Sequence, residues 1–181
     1  MKKKILTRLK WLYYSIITSI ISTKKVRPNT GNSFYIKTSN SHEFHRAATF
    51  NQKEPEMLTW INRLDQYGKE SFVFWDIGAN IGIYSLFTAM NYKNSKVYCF
   101  EPEANNFASL CNNIFLNNLD NVYPYMIGIS DKSAFNELQI SVMASGAGAA
   151  SVETAYKYVN SETIFRQGIF TSSFNDLYHS F

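Results

Sequence analysis

The chain has 181 residues, 45% of them hydrophobic and 18% charged, with eight glycines, four prolines and two cysteines. That composition excludes a disordered chain, a collagen-like or low-complexity chain and a disulfide scaffold. The net charge of +4 is unevenly placed: residues 1–27 hold eight Lys or Arg and no acid, and the remainder holds ten basic and fourteen acidic groups.

A basic arm on a mildly acidic body points to an anionic partner. Within the arm, Ile5, Leu9, Leu12, Ile16 and Ile20 recur at three- and four-residue steps, with Leu6, Tyr13 and Ile17 beside them. The spacing predicts an amphipathic helix. Its richest part, Trp11 to Ile21, is too short to cross a bilayer. Basic groups at both ends and Trp11, Tyr13 and Tyr14 between them suit a helix lying among anionic headgroups. Packing against the body is the competing reading. A secretion signal is a third, weakened because no small-residue cleavage site follows Ile21. Nucleic acid is set aside because the body has no second basic patch.

Arg27 to Asn32 is a turn cluster and a plausible linker, so the chain divides into a basic helix at 1–27 and a body at 28–181. Phe34 to Lys37 reads as a short strand. His42, Glu43, His45 and Arg46 lie close together, but two histidines three apart with no further His or Cys nearby read as surface groups, and no metal site is assigned. Pro55 opens a helix with Met57, Leu58, Ile61 and Leu64 on one face, ended by Gly68. Phe72 to Ile77 is a short apolar run of the kind buried on both faces of a sheet. A glycine-bearing turn and a helix from Ile83 follow. Lys96 to Phe100 is a second strand, 104–116 a second helix with Phe107, Leu110, Cys111, Ile114 and Phe115 inward, and Asn121 to Ile129 a third strand. This β-α-β-α-β order implies a parallel sheet with crossover helices. Beyond Ser130, Phe135 to Val142 alternates as a half-buried strand, Ala144 to Ser151 reads as a flexible small-residue loop, Ile164 to Phe170 as a strand, and Ser172 or Ser173 as a helix cap. Cys99 and Cys111 read as buried thiols, in keeping with a reducing cytoplasm.

The chemistry concentrates at two strand ends. Asp76, Gly78, Ala79, Asn80 and Gly82 close the first strand, and Glu101 and Pro102 close the second. Gly78 lets the backbone turn tightly beside a ligand, and Gly82 permits close packing of helix on strand. The helix start offers unpaired N–H groups, and a carboxylate at the next strand tip can accept both hydroxyls of a ribose. Asn80 stands where a dinucleotide fold needs its middle glycine, which disfavours a nicotinamide-dependent oxidoreductase. The P-loop lysine is absent. An acid two residues before the first glycine suits a cationic or zwitterionic ligand, and S-adenosylmethionine joins a sulfonium and an ammonium group to a ribose.

The run from Asp76 to Gly82, followed by Val97 to Glu103, resembles the FkbM-type class I methyltransferases. Glu54 to Glu56 with Trp60, and Ser173 to Leu177, resemble the same family, so the likeness covers roughly 43–178. It implies a Rossmann-like α/β sheet, a partial methyltransferase domain over 28–181 and S-adenosylmethionine as cofactor. It places Gly78, Ala79 and Asn80 along the methionine part, Asp76 at its amino end, Glu101 on the ribose hydroxyls and Pro102 at the adenine, with 129–131 along the adenine edge. The implied reaction is O-methylation of a sugar or small-metabolite hydroxyl, with the general base unassigned. In the family the sheet continues, so the expectation is a C-terminally truncated chain with three parallel strands present and later ones missing, an exposed apolar edge at 72–77 and a completing chain against it. The alternative is a non-catalytic module of the same fold at a membrane surface. The expected location is the cytoplasm or the inner face of its membrane.

Overall fold

The computed structural model describes residues 2–66, 71–148, 150–152 and 162–180. Helix α1 (Lys2–Ile20) leads into a hairpin of β1 (Thr23–Val26) and β2 (Phe34–Lys37). Residues 27–33 connect the two strands of that hairpin. Residues 41–53 form two helices that the sequence did not disclose, α2 (Ser41–Ala48) and α3 (Phe50–Lys53). Asn40 starts α2, its Oδ1 accepting from the N–H groups of His42 and Glu43 at 2.8 and 3.1 Å. Helix α4 (Pro55–Ile61) opens on its proline and ends before a 3₁₀ turn at Leu64–Gln66; the end expected at Gly68 lies outside the described residues.

The central sheet is parallel, in the order β3 (Val73–Ile77), β4 (Lys96–Phe100), β5 (Val122–Tyr125). The crossover helices α5 (Ile83–Asn91) and α6 (Ala104–Leu116) connect these strands as the alternating pattern predicts. Glu103 caps α6 by accepting from the N–H groups of Asn105 and Asn106. One continuous core joins β2, α3, α4, α5 and α6 to this sheet, with Phe34, Ile36, Ile81, Phe87, Val97 and Leu110 fully buried. Phe50 meets Phe34 and Phe87 edge-on within it.

Three expectations need correction here. The first strand is not buried on both faces: among the described residues β3 is the sheet edge, with Phe74 inside and Val73 and Ile77 exposed on the opposite face. The third strand is split. β5 ends at Tyr125, and β6 (Gly128–Ser130) joins a second sheet of order β6-β9-β7-β8. Pro124 has no N–H to offer a further neighbour, which suits an edge strand that stops. On α6, Phe115 is 84% exposed, while Asn106 and Asn113 are buried. Asn113 earns that place by bonding both sides: its amide donates to the Ile81 carbonyl, and its Oδ1 accepts from Lys37 N.

The second sheet comprises β6, β7 (Ala134–Ile140), β8 (Ala150–Val152) and β9 (Phe165–Ser173), around a small core of Leu138, Ile140 and Ile169. Ser173 caps α7 (Phe174–Tyr178), whose Phe174 lies against Trp75 of β3.

Candidate functional site

The carboxyl ends of β3 and β4 open on a cavity of about 450 Å³. Open parallel sheets collect ligands at this end. Six of the seven residues singled out from the sequence line it together: Asp76, Gly78, Ala79, Asn80, Glu101 and Pro102. Gly82 is not in the wall.

The turn is built by backbone conformation. Gly78, Asn80 and Gly82 all have positive φ, at 75, 53 and 84°. The Gly78 and Ala79 N–H groups both donate to the Phe100 carbonyl, so the turn is pinned to the end of β4. The two glycines serve different ends. A Cβ on Gly78 would meet nothing within 4 Å, because that side is open cavity. A Cβ on Gly82 would lie 2.3 Å from Leu110 Cδ1 of α6. The packing reason for Gly82 holds, but the partner is a helix side chain rather than a strand.

Glu101 is 5% exposed and braces the turn. Its Oε2 accepts from Asn80 N at 2.7 Å, and its Oε1 from Glu103 N at 2.9 Å and Asn106 Nδ2 at 3.4 Å. Burial raises its pKa above the ordinary carboxylate range, and these hydrogen bonds oppose the rise. Three acceptor positions are used of the roughly four a carboxylate offers. Asp76 accepts from Ser85 near the start of α5, and Gly82 is the residue that precedes that helix. Burial raises its pKa as well, opposed by the Ser85 bond.

The rest of the wall was not legible as such. Arg46 of α2, Lys53 of α3, Glu54 and Tyr84 of α5 line the same cavity. Burial pulls the Arg46 pKa down, countered by Glu54, Tyr84 and Glu101, and the guanidinium stays cationic. The Tyr84 hydroxyl is pushed well above its ordinary value by burial and by Glu54, so it keeps its proton at neutral pH.

The flexible loop expected over Ala144 to Ser151 is instead clamped over the turn at 144–148, and its end enters β8. Asn80 Nδ2 donates to the Ala147 carbonyl at 3.1 Å, Asn106 Oδ1 accepts from Gly146 N at 2.8 Å, and Arg46 Nε donates to the Gly146 carbonyl. Glu43, fully buried, accepts from Ser145 Oγ at 2.7 Å, Ser109 Oγ at 2.6 Å and Ser39 N at 2.6 Å. Gly146 has φ +81° and sits against the α2 backbone, where a Cβ would come within 2.9 Å of Glu43 N. Of His42, Glu43, His45 and Arg46, then, Arg46 reaches the cavity, Glu43 holds its cover, and His42 and His45 turn to α1. No cluster of three or more His, Cys, Asp or Glu able to hold a metal ion occurs among the described residues. Residues 129–131, expected along the adenine edge, are placed in or beside β6 and do not line the cavity.

The sequence model of the methyltransferase FkbM domain matches residues 76–176, more than half of the chain and the whole stretch from the glycine turn to α7. The chain belongs to the FkbM methyltransferase family. Among solved structures, this FkbM-family chain is similar to coclaurine N-methyltransferase bound to N-methylheliamine and SAH, at 18% identity and a TM-score of 0.33, over 39% of this chain and 21% of that one. It is also similar to M. jannaschii TYW2 in complex with AdoMet, at 23% identity and a TM-score of 0.38, over 58% of this chain and 43% of that one. The chain thus spans less than half the length of either. No curated protein matches it.

Proposed function

We propose that this cavity binds S-adenosylmethionine and that the FkbM domain transfers its methyl group to a hydroxyl of a sugar or small metabolite. The observation that carries the reading is the meeting of Gly78, whose missing side chain leaves open cavity, with the Glu101 carboxylate in one wall. The donor set fits the cofactor's chemistry part by part. Glu101 keeps an acceptor position for the ribose hydroxyls, and the loop from Gly78 to Asn80 gives a backbone edge along the methionine chain. Asp76 takes the ammonium end. Arg46 and Lys53 are the cations of the wall and face the carboxylate. Pro102 flanks the adenine.

When bound, the cofactor supplies an electrophilic methyl on a sulfonium. What the chain contributes is position: methyl transfer is an in-line displacement, so holding donor and acceptor in line accounts for most of the acceleration. The loop 144–148 covers the turn and excludes water from that side. Tyr84 keeps its proton, held by its hydrogen bond to Glu54, so it does not deprotonate an acceptor.

Isothermal titration of the full chain with S-adenosylmethionine and with S-adenosylhomocysteine tests this. Saturable binding is expected, weakened about ten- to hundredfold in Glu101→Gln, the range for losing a hydrogen bond to a charged group. NAD should give no heat. A folded chain that binds neither sulfur compound would refute the reading and leave a non-catalytic module of the same fold.

A further inference from the structure

Helix α1 is attached to the body by its less apolar side. Trp11 lies 4.8 Å from the His42 ring and 5.3 Å from the His45 ring, and Tyr14 lies 5.1 Å from Phe44. Tyr14 is buried, and Trp11, Ile17 and Thr18 are partly covered. At 3.6 residues per turn, the opposite side is a continuous seam of Leu6, Leu9, Tyr13, Ile16 and Ile20 with Leu12 beside it. Every one of these side chains is more than half exposed, from 54% at Ile16 to 75% at Ile20. A helix whose sole task was to complete the core would turn this seam inward.

We propose that α1 is a membrane-surface anchor, fixed to α2 through Trp11 and Tyr14 and laying its outward apolar seam into an anionic lipid bilayer. Charge selects this occupant. Arg8 and Lys10 flank the seam, Lys2, Lys3 and Lys4 occupy the first turn, and Lys24, Lys25 and Arg27 follow the helix, with no acid anywhere in 1–27. Long basic side chains beside an apolar stripe keep their stems on the acyl boundary and their charges among the headgroups. A second copy is a poor occupant, because symmetric pairing of two seams would bring two all-basic arms together. No described helix is long and apolar enough to cross a membrane, so the seam lies on the surface rather than spanning it. The docking helix α2 also carries Arg46 of the cavity wall, so the anchor sets the orientation of the cavity relative to the lipid. The proposal does not depend on what the cavity binds.

Co-sedimentation of the full chain with vesicles tests it. Binding is expected to mixed phosphatidylglycerol and phosphatidylcholine vesicles and to be much weaker with phosphatidylcholine alone. It should fall as salt shrinks the screening length from about 10 Å to about 3 Å. Leu9→Asp with Ile16→Asp should weaken binding by about tenfold or more while leaving the melting temperature unchanged, since both positions are exposed. Lys2→Gln, Lys3→Gln and Lys4→Gln should each weaken it about fivefold. In a Leu12→Trp variant the emission should shift to the blue on adding vesicles. Absence of vesicle binding, or binding indifferent to the two aspartates, overturns the proposal. So does a doubled mass in sedimentation that the aspartates restore to a single chain, which would assign the seam to a second copy, or salt-sensitive retention on duplex DNA without vesicle binding.

Discussion

The two glycines that flank the turn should fail in different ways when given a methyl group. Both hold positive φ, 75° at Gly78 and 84° at Gly82, and a left-handed backbone costs an L-residue about 1–2 kcal/mol. At Gly78 that is the whole cost to folding, because the added carbon meets open space. At Gly82 it also lands 2.3 Å from Leu110 Cδ1, against a comfortable carbon–carbon contact of about 3.5–4.0 Å. Leu110 is fully buried and must move by more than an ångström into a packed core, at about 1–3 kcal/mol. Gly82→Ala should therefore lose about 2–5 kcal/mol and Gly78→Ala about 1–2 kcal/mol. For a chain of this size each kcal/mol lowers the melting temperature by about 2–4 °C. Thermal melts should show a drop of about 4–20 °C for Gly82→Ala and about 2–8 °C for Gly78→Ala. The order reverses in titration with S-adenosylmethionine, where Gly78→Ala places its methyl in the cavity and weakens binding more. Equal melting losses, or undisturbed binding in folded Gly78→Ala, would refute the division of roles.

Three further outcomes are expected. Glu43→Ala removes the acceptor shared by Ser39 N, Ser109 Oγ and Ser145 Oγ, whose residues are partly exposed, so denaturant unfolding should show a loss of about 1–3 kcal/mol; a loss well under about 1 kcal/mol would mean that water replaces the carboxylate freely. Gly146→Ala, strained at φ +81° and pressed on the α2 backbone, should release the loop over the turn, read as faster proteolysis at 144–148 and weaker cofactor binding; an unchanged cleavage pattern would count against the clamp. His42 and His45 both have pKa values lowered, by burial first and then by neighbouring cations, Arg46 for His42 and Lys10 before Lys53 and Arg46 for His45. Their folded forms favour the neutral ring, so their contribution to stability is present above the ordinary value of 6.5 and is lost as pH falls below it. Asp76 and Glu101 have raised pKa values and act with the opposite sign. The check is therefore the difference in melting temperature between the parent and His42→Gln/His45→Gln, followed downward from pH 7, and a difference that stays constant with pH would refute it.

The parallel β3-β4-β5 core was legible because its signals are local: an apolar run, a glycine turn and a 3.6-residue pattern repeat in order. The same locality made Asp76, Gly78 and Glu101 readable as one site, since strand ends of a parallel sheet converge by topology. What the sequence hid depends on distant partners. Asn106 and Asn113 look like surface residues of α6 until their partners at Gly146, Ile81 and Lys37 are known. Phe115 looks like core by composition, but it sits off the buried arc that those asparagines occupy. Residues 41–53 have no clean period because their inward positions mix Glu43, Phe44, Ala47 and Phe50. The small residues of 144–148 signalled flexibility when their smallness in fact allows close approach to the α2 backbone.

That clamp also has a kinetic side. Its bonds join residues far apart along the chain: Arg46 to Gly146 across 100 positions, Glu43 to Ser145 across 102 and Asn40 to Ser145 across 105. Each closes a long loop whose entropy must be lost before the contact can form. Local units such as α6 or the β1–β2 hairpin face no such delay. Pulse-labelled hydrogen exchange during refolding should find the amides of α5 and α6 protected before Gly146 N, so that the protein acquires its crossover helices first and a competent cavity afterwards.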